Sequence, residues 1–152
     1  MTLIVLLDSG PLGLVTNPSS ARARPCNEWL ENLLLSGAVA RVPEIADYEV
    51  RRELIRAAKT PGIHRLDRLA LTLGYVPLTT IAMRKAAEFW ADARRRGKPT
   101  AAQPALDADA ILSAQAATLD LSQGDRVLIA TTNVGHLSQF VEAARWEDIR
   151  TI

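Results

Sequence analysis

The chain has 152 residues, 48% of them hydrophobic and 23% charged, with a formal net charge of +1. This suits one globular domain, here residues 1–152, with a core of its own. The near-zero charge argues against a global field for a polyanion or a membrane surface. Cys26 is the only cysteine, which excludes an internal disulfide and a cysteine-rich zinc site and leads us to expect a reducing, cytoplasmic setting.

Residues 2–7, an apolar run opened by Thr2 and followed at once by Asp8, read as a strand buried on both faces, as in a parallel sheet. It lacks a preceding basic region and is too short to span a bilayer, so neither a signal peptide nor a membrane helix is expected. Gly10-Pro11 breaks the strand, and a short helix is predicted through Val15. Asn17-Pro18-Ser19-Ser20 reads as a loop ending in good cap residues. Trp29, Leu30, Leu33 and Leu34 fit one face of a helix over 21–35, stopped by Ser36-Gly37. Ala38 to Val42 is a second strand. Pro43 is expected in the first turn of a helix reaching about Lys59, with Glu44 and Asp47 near its positive end. Thr60-Pro61-Gly62 reads as a turn, and a helix carrying Leu66, Leu69, Ala70 and Leu73 closes at Gly74.

Tyr75 to Leu78 is a short strand, and Thr79 or Thr80 caps a helix running past Trp90 to Arg96. The small and polar residues from Gly97 to Pro104 read as a loop. Leu106 to Leu119 is helical, with a small-residue face of Ala110, Ala114 and Ala117 suited to close packing. Gln123-Gly124-Asp125 turns the chain into the second strong strand, Arg126 to Thr131. A short helix over 140–144 and a last strand within 146–152 are expected. Strands alternate with helices throughout, so the class is α/β with a mainly parallel sheet.

That class says where the acids point. Asp8 follows the first strand, Asn133 follows the strand of Val127 to Ala130, and Asp109 lies near the start of the Leu106 helix beside Asp107. Strand ends and the starts of the following helices share one edge of a parallel α/β sheet, which is also where ligands bind. Glu49 joins them if its helix leans over that edge. Two carboxylates ~4 Å apart repel by roughly 4 kcal/mol at an effective dielectric of 20. A cluster therefore requires protonation or a cation. All-oxygen ligands suit Mg²⁺ or Mn²⁺, which can activate water and clamp a phosphoryl oxygen. The chemistry implied is phosphodiester hydrolysis.

Four segments carry a resemblance: Leu6 to Leu12 around Asp8, Val42 to Leu54 around Glu49, Leu106 to Ala116 around Asp109, and Ile129 to Leu137 around Asn133. Together they resemble the PIN domain family, and within it the VapC-like toxins of type II toxin–antitoxin modules. The resemblance implies a three-layer α/β/α sandwich and Mg²⁺- or Mn²⁺-dependent cleavage of RNA. It implies Asp8, Glu49 and Asp109 as the acids, Asp107 as an accessory ligand and Asn133 at a fourth position where many members carry Asp. A cognate antitoxin is an implied partner. Asn brings no charge, so one metal held by Asp8 and Asp109 is expected, with reduced activity or a non-cleaving RNA- or protein-binding module as the alternative.

The same residues have structural readings. Asp8 is placed to cap the helix after it, and Asp47 or Glu53 competes with Glu49 as the inward acid. Asp107 suits an N-cap, Asp109 a dipole partner, and Asn133 a turn. His136 reads as a loop residue, His64 as surface, Cys26 as half-buried, and Trp29, Trp90 and Trp146 as packing. Arg94 to Arg96 favour a solvated helix end. Arg51 and Arg52, with Ser9 and Thr132, are the expected substrate contacts. Apolar faces around Trp29 and Leu66 to Leu73 point to a homodimer. A receiver domain is disfavoured because the last lysine, Lys98, follows no strand. A haloacid dehalogenase-type hydrolase would need Asp where Gly10 stands.

Overall fold

Leu3–Leu7 forms β1, the middle strand of a five-stranded sheet in the order β3-β2-β1-β4-β5. The other strands are β2 (Val39–Pro43), β3 (Tyr75–Val76), β4 (Arg126–Thr131) and β5 (Ala143–Arg145), and every pairing is parallel. This computed structural model describes residues 2–17, 20–96 and 103–150. β1 pairs with β2 from Ile4 opposite Val39 to Leu6 opposite Arg41, and with β4 from Leu3 opposite Arg126 to Leu7 opposite Ala130. Flanked on both sides and covered on both faces, its apolar run needs no polar alternation.

Those two faces define the layers. Val5 and Leu7 join Leu12, Cys26, Leu30, Leu33, Leu54 and Leu66 in one core cluster. These come from α1 (Ser9–Thr16), α2 (Ala23–Leu35), α3 (Glu44–Arg56) and α4 (Thr60–Leu73). Leu6 and Ile129 meet Ile45, Leu112 and Leu137 in a second cluster beneath α6 (Gln103–Ala117). α5 (Thr80–Arg95) packs against α6. The molecule is thus the expected α/β/α sandwich around a parallel sheet. Among the described residues, no helix is long and apolar enough to cross a membrane.

Several local expectations are corrected. Pro43 ends β2, pairs with Val76 and caps α3 from an extended conformation, so the helix begins at Glu44. α3 stops at Arg56, short of Lys59, because Ala58 takes a left-handed φ of 54°. Thr60-Pro61-Gly62 is the first turn of α4, where proline's missing N–H costs nothing. Ser20 does not cap α2, whose N-cap Arg22 makes no side-chain cap bond. α6 starts at Gln103, three residues before Leu106, so Gln103 and Pro104 are not loop; the rest of that predicted loop, 97–102, lies outside the described residues.

At the C-terminal end the helix predicted over 140–144 is replaced by a 3-10 turn, Leu137–Gln139, and by β5. Trp146–Asp148 is a 3-10 turn where a strand was expected. Pairing with Ile129 to Thr131 decides these short segments, and periodicity cannot see it. Cys26 is fully buried rather than half-buried, and burial pushes its thiol up to about 12.

Candidate functional site

Asp8 follows β1 immediately, and its backbone N–H donates to the Ala130 carbonyl of β4 at 2.9 Å. Its side chain does two things. Oδ1 accepts from the Ser9 N–H at 2.7 Å, capping α1, and Oδ2 accepts from the Thr131 hydroxyl at 2.7 Å. Both carboxylate oxygens are held, so the capping reading and the site reading are compatible. Burial raises the Asp8 carboxyl above its ordinary range, and the bonds from Thr131 and Ser9 oppose that rise.

Two further acids feel this carboxylate. Asp109, in the second turn of α6, is raised to about 6 by burial and then by the charge of Asp8. Glu49, in the second turn of α3, has a half-buried side chain. Burial and the charges of Asp8 and Asp109 raise it, against the pull of Arg52. Arg52 stands 4.0 Å away. Asp8, Glu49 and Asp109 are therefore one electrostatically coupled group with an excess of negative charge. Among the described residues, no three His, Cys, Asp or Glu side chains stand close enough as placed to share a metal ion.

Asn133 reaches this group only through Thr131. Its N–H donates to Thr131 Oγ1 at 3.2 Å, while its own Oδ1 accepts from the Gly135 N–H at 3.1 Å. The side-chain carbonyl thus closes an Asx-type turn, with Gly135 at φ +42°. Thr131 is 1% exposed at the end of β4, and Thr132 is exposed beside it. A Cβ on Gly10 would lie 2.6 Å from Thr132 Cγ2 and Oγ1, so only glycine lets α1 start this close to the end of β4.

Asp47 and Asp107 leave the group. Asp47 is 7% exposed and compensated: Arg51 donates to it at 2.9 Å and the Tyr75 hydroxyl at 2.9 Å. Arg51 also bonds Asp67 at 2.7 Å. It is thus committed to tying α3 to α4, not to standing beside Glu49 as expected. Asp107 is exposed on a groove shared with Met83, Ala86 and Trp90 of α5. Two residues turn a helix by about 200°, so Asp107 and Asp109 face opposite ways. Glu53 is exposed and ion-paired with Arg56.

Gln115 escaped the sequence reading. Its Oε1 accepts from the Ile45 N–H at 3.3 Å and its Nε2 donates to the Val76 carbonyl at 2.8 Å. Glu44 accepts from Leu78 N–H at 2.6 Å. Together these pin the start of α3, and so the height of Glu49 over the sheet edge. The available signal was an amide amid the alanines near the end of α6.

No family model matches the sequence, and no curated protein is similar to it in sequence. Solved structures match in shape. VapBC2 from Rickettsia felis bound to a DNA fragment from its promoter is 13% identical, covering 94% of this chain and 98% of that one at a TM-score of 0.66. FitAcB from Neisseria gonorrhoeae is 18% identical, with 95% and 99% covered and a TM-score of 0.67. DNA-bound VapBC from Salmonella typhimurium is 16% identical, with 95% and 99% covered and a TM-score of 0.59. This chain has the VapC-like PIN fold. The likeness is one of architecture over nearly the whole chain, in agreement with the resemblance of its four segments. In this PIN-like fold the carboxyl ends of β1 and β4 and the inner sides of α3 and α6 meet at one edge. That is the edge holding Asp8, Thr131, Glu49 and Asp109.

Proposed function

We propose that the chain is a metal-dependent endoribonuclease, the toxin half of a toxin–antitoxin pair. The observation that carries this reading is the coupling of Asp8, Glu49 and Asp109 at the edge of the sheet where α/β folds bind ligands, with Arg52 the one cation acting on them among the described residues. The donor set is carboxylate oxygen, which fits a hard cation such as Mg²⁺ or Mn²⁺. Two carboxylates suffice for Mg²⁺, whose remaining positions are taken by water and substrate phosphate. On this reading Asp8 and Asp109 would hold the ion, which would supply an activated water and neutralise charge on the phosphoryl oxygens.

The protein's own groups do the rest. The Thr131 hydroxyl and the Ser9 N–H fix the Asp8 carboxylate in one orientation. Glu49, raised by burial and its acidic neighbours, is shifted in the direction a proton acceptor for water needs. Arg52 stands beside it to meet a phosphate. A cognate antitoxin is proposed on the same resemblance, and a homodimer on the apolar helix faces, of which Leu66 and Leu73 are core and Leu71 stays exposed; co-expression with the product of an adjoining reading frame, followed by sizing, tests both.

The deciding assay is cleavage of an RNA oligonucleotide in Mg²⁺ or Mn²⁺. Asp8→Asn and Asp109→Asn should each lower the rate by about 100-fold or more, as loss of a metal ligand or its support does. Cleavage that persists in both variants rejects these roles. One observation favours a non-cleaving binder: the Asn133 side-chain oxygen already serves Gly135. Asn133→Asp separates the two readings, since a gain of cleavage marks an impaired enzyme and RNA binding without turnover in either form marks a binder.

A further inference from the structure

A cleft of about 450 Å³ runs between α1 and the C-terminal half of α3. Its inner end is Ser9 and Glu49, and its floor includes Gly13, Val50, Leu54 and Ala57. Arg52, Arg56 and Lys59 line it as well, with Glu53 among them. Arg52 and Arg56, four residues apart, lie on one stripe of α3 with about 6 Å of rise between them. Lys59 lies beyond the helix, but the left-handed turn at Ala58 keeps it on the cleft. Three cations thus share the lining with Glu53 and with Glu49, which belongs to the acidic group.

Their present partners differ. Arg52 stands 4.0 Å from Glu49 and also acts on Glu53 through its charge, and its guanidinium lies 5.0 Å from the ring centre of Tyr48. Arg56 is held by Glu53, with Nε at 2.7 Å. Lys59 makes no ion pair among the described residues. A row of cations above an apolar floor, leading away from a phosphodiester-cleaving site, has the composition of a track for single-stranded nucleic acid.

We propose that this cleft binds the phosphates of a single RNA strand on one side of the cleavage point. Arg52 and Lys59 are its contacts, and Arg56 is a third contact restrained by Glu53. The proposal rests on the nuclease reading, and its test separates the two.

Binding of a labelled single-stranded RNA to the full chain is measured by anisotropy in EDTA, across a range of salt, and cleavage kinetics are then measured in Mn²⁺. Arg52→Ala and Lys59→Ala should each weaken binding roughly 3- to 10-fold and flatten the log Kd against log salt slope by about 0.7. Lys59→Ala should raise KM and leave kcat unchanged. Glu53→Gln should tighten binding by freeing Arg56. Arg95→Ala, which removes an exposed cation of α5 paired with Asp92, is the matched control and should change nothing. All four sites are exposed, and thermal melts verify folding.

The pattern above with no cleavage by the wild type supports the cleft and overturns the nuclease. Cleavage whose KM and salt slope ignore Arg52, Lys59 and Glu53, or respond equally to Arg95→Ala, keeps the nuclease and overturns the cleft. Absence of RNA binding, with poly-glutamate bound in a Lys59-dependent way, overturns the cleft in favour of an acidic polypeptide.

Discussion

At the scale of single residues, Asp109 sets the acid–base behaviour of the site. Its carboxyl stands at about 6 in the folded chain against an ordinary 3.8. A raised carboxyl holds its proton more tightly in the folded state than in the unfolded one. Between those two values the unfolded chain carries fewer protons, and stability falls as pH rises. The stabilising contribution is complete below 3.8 and is lost by the time pH passes about 6. The metal-free protein should therefore melt at progressively lower temperature across that window. Asp109→Asn, which does not titrate, should flatten this decline and raise the neutral-pH Tm by a few degrees. Calorimetry in EDTA from pH 4 to 7 checks this, and parallel curves for the two proteins would reject it. Asp8 and Glu49 shift in the same direction, so the variant's slope shrinks without vanishing. Asp8 was legible from the chain because an acid directly follows an apolar run. Its bond to Thr131 was not, because that partner is 123 residues away. Asp109 was placed ahead of Asp107 from the chain, but the N-cap reading of Asp107 rested on a helix start three residues too late; with Gln103 as the start it lies inside α6 and cannot cap it.

At the scale of elements, the placement of α3 depends on a residue from another layer. Gln115 is 1% exposed and serves a helix-start N–H and a strand-end carbonyl at once. Gln115→Leu keeps most of the volume and leaves both groups buried without partners, at about 2–4 kcal/mol. Urea unfolding should show the midpoint falling with the slope unchanged, and a loss below about 1 kcal/mol would mean that the two groups find other partners. Because α3 carries Glu49, cleavage should fall by more than the change in folded fraction explains. The elements themselves were readable where periodicity was strong: β1, β4, and α4 ending at Gly74, whose φ of +100° suits glycine. They were misread where a short segment took its form from a distant partner. Ala143–Arg145 is a strand because β4 lies beside it. Pro43 stays in β2 because Val76 pairs with it.

For the whole molecule, parallel pairing does what no local signal can. β1 and β4 run side by side from opposite ends of the chain, so acids a hundred positions apart reach one edge with their charges uncompensated. A cation bound there favours the folded chain alone, since the unfolded chain scatters the ligands. Mn²⁺ at about 100 times its Kd should stabilise the fold by roughly 2.7 kcal/mol. The gain should grow as pH rises through about 6, where Asp109 gives up the proton that competes with the ion. Asp8→Asn and Asp109→Asn should erase the gain while remaining folded. Asp107→Asn should keep it, because that side chain faces the α5 groove. Thermal melts of the four proteins with and without Mn²⁺ decide the matter, independently of any RNA. Equal loss in Asp107→Asn and Asp109→Asn would indicate diffuse attraction to an acidic surface, and an unmoved wild type would leave the coupled acids to be neutralised by protonation instead.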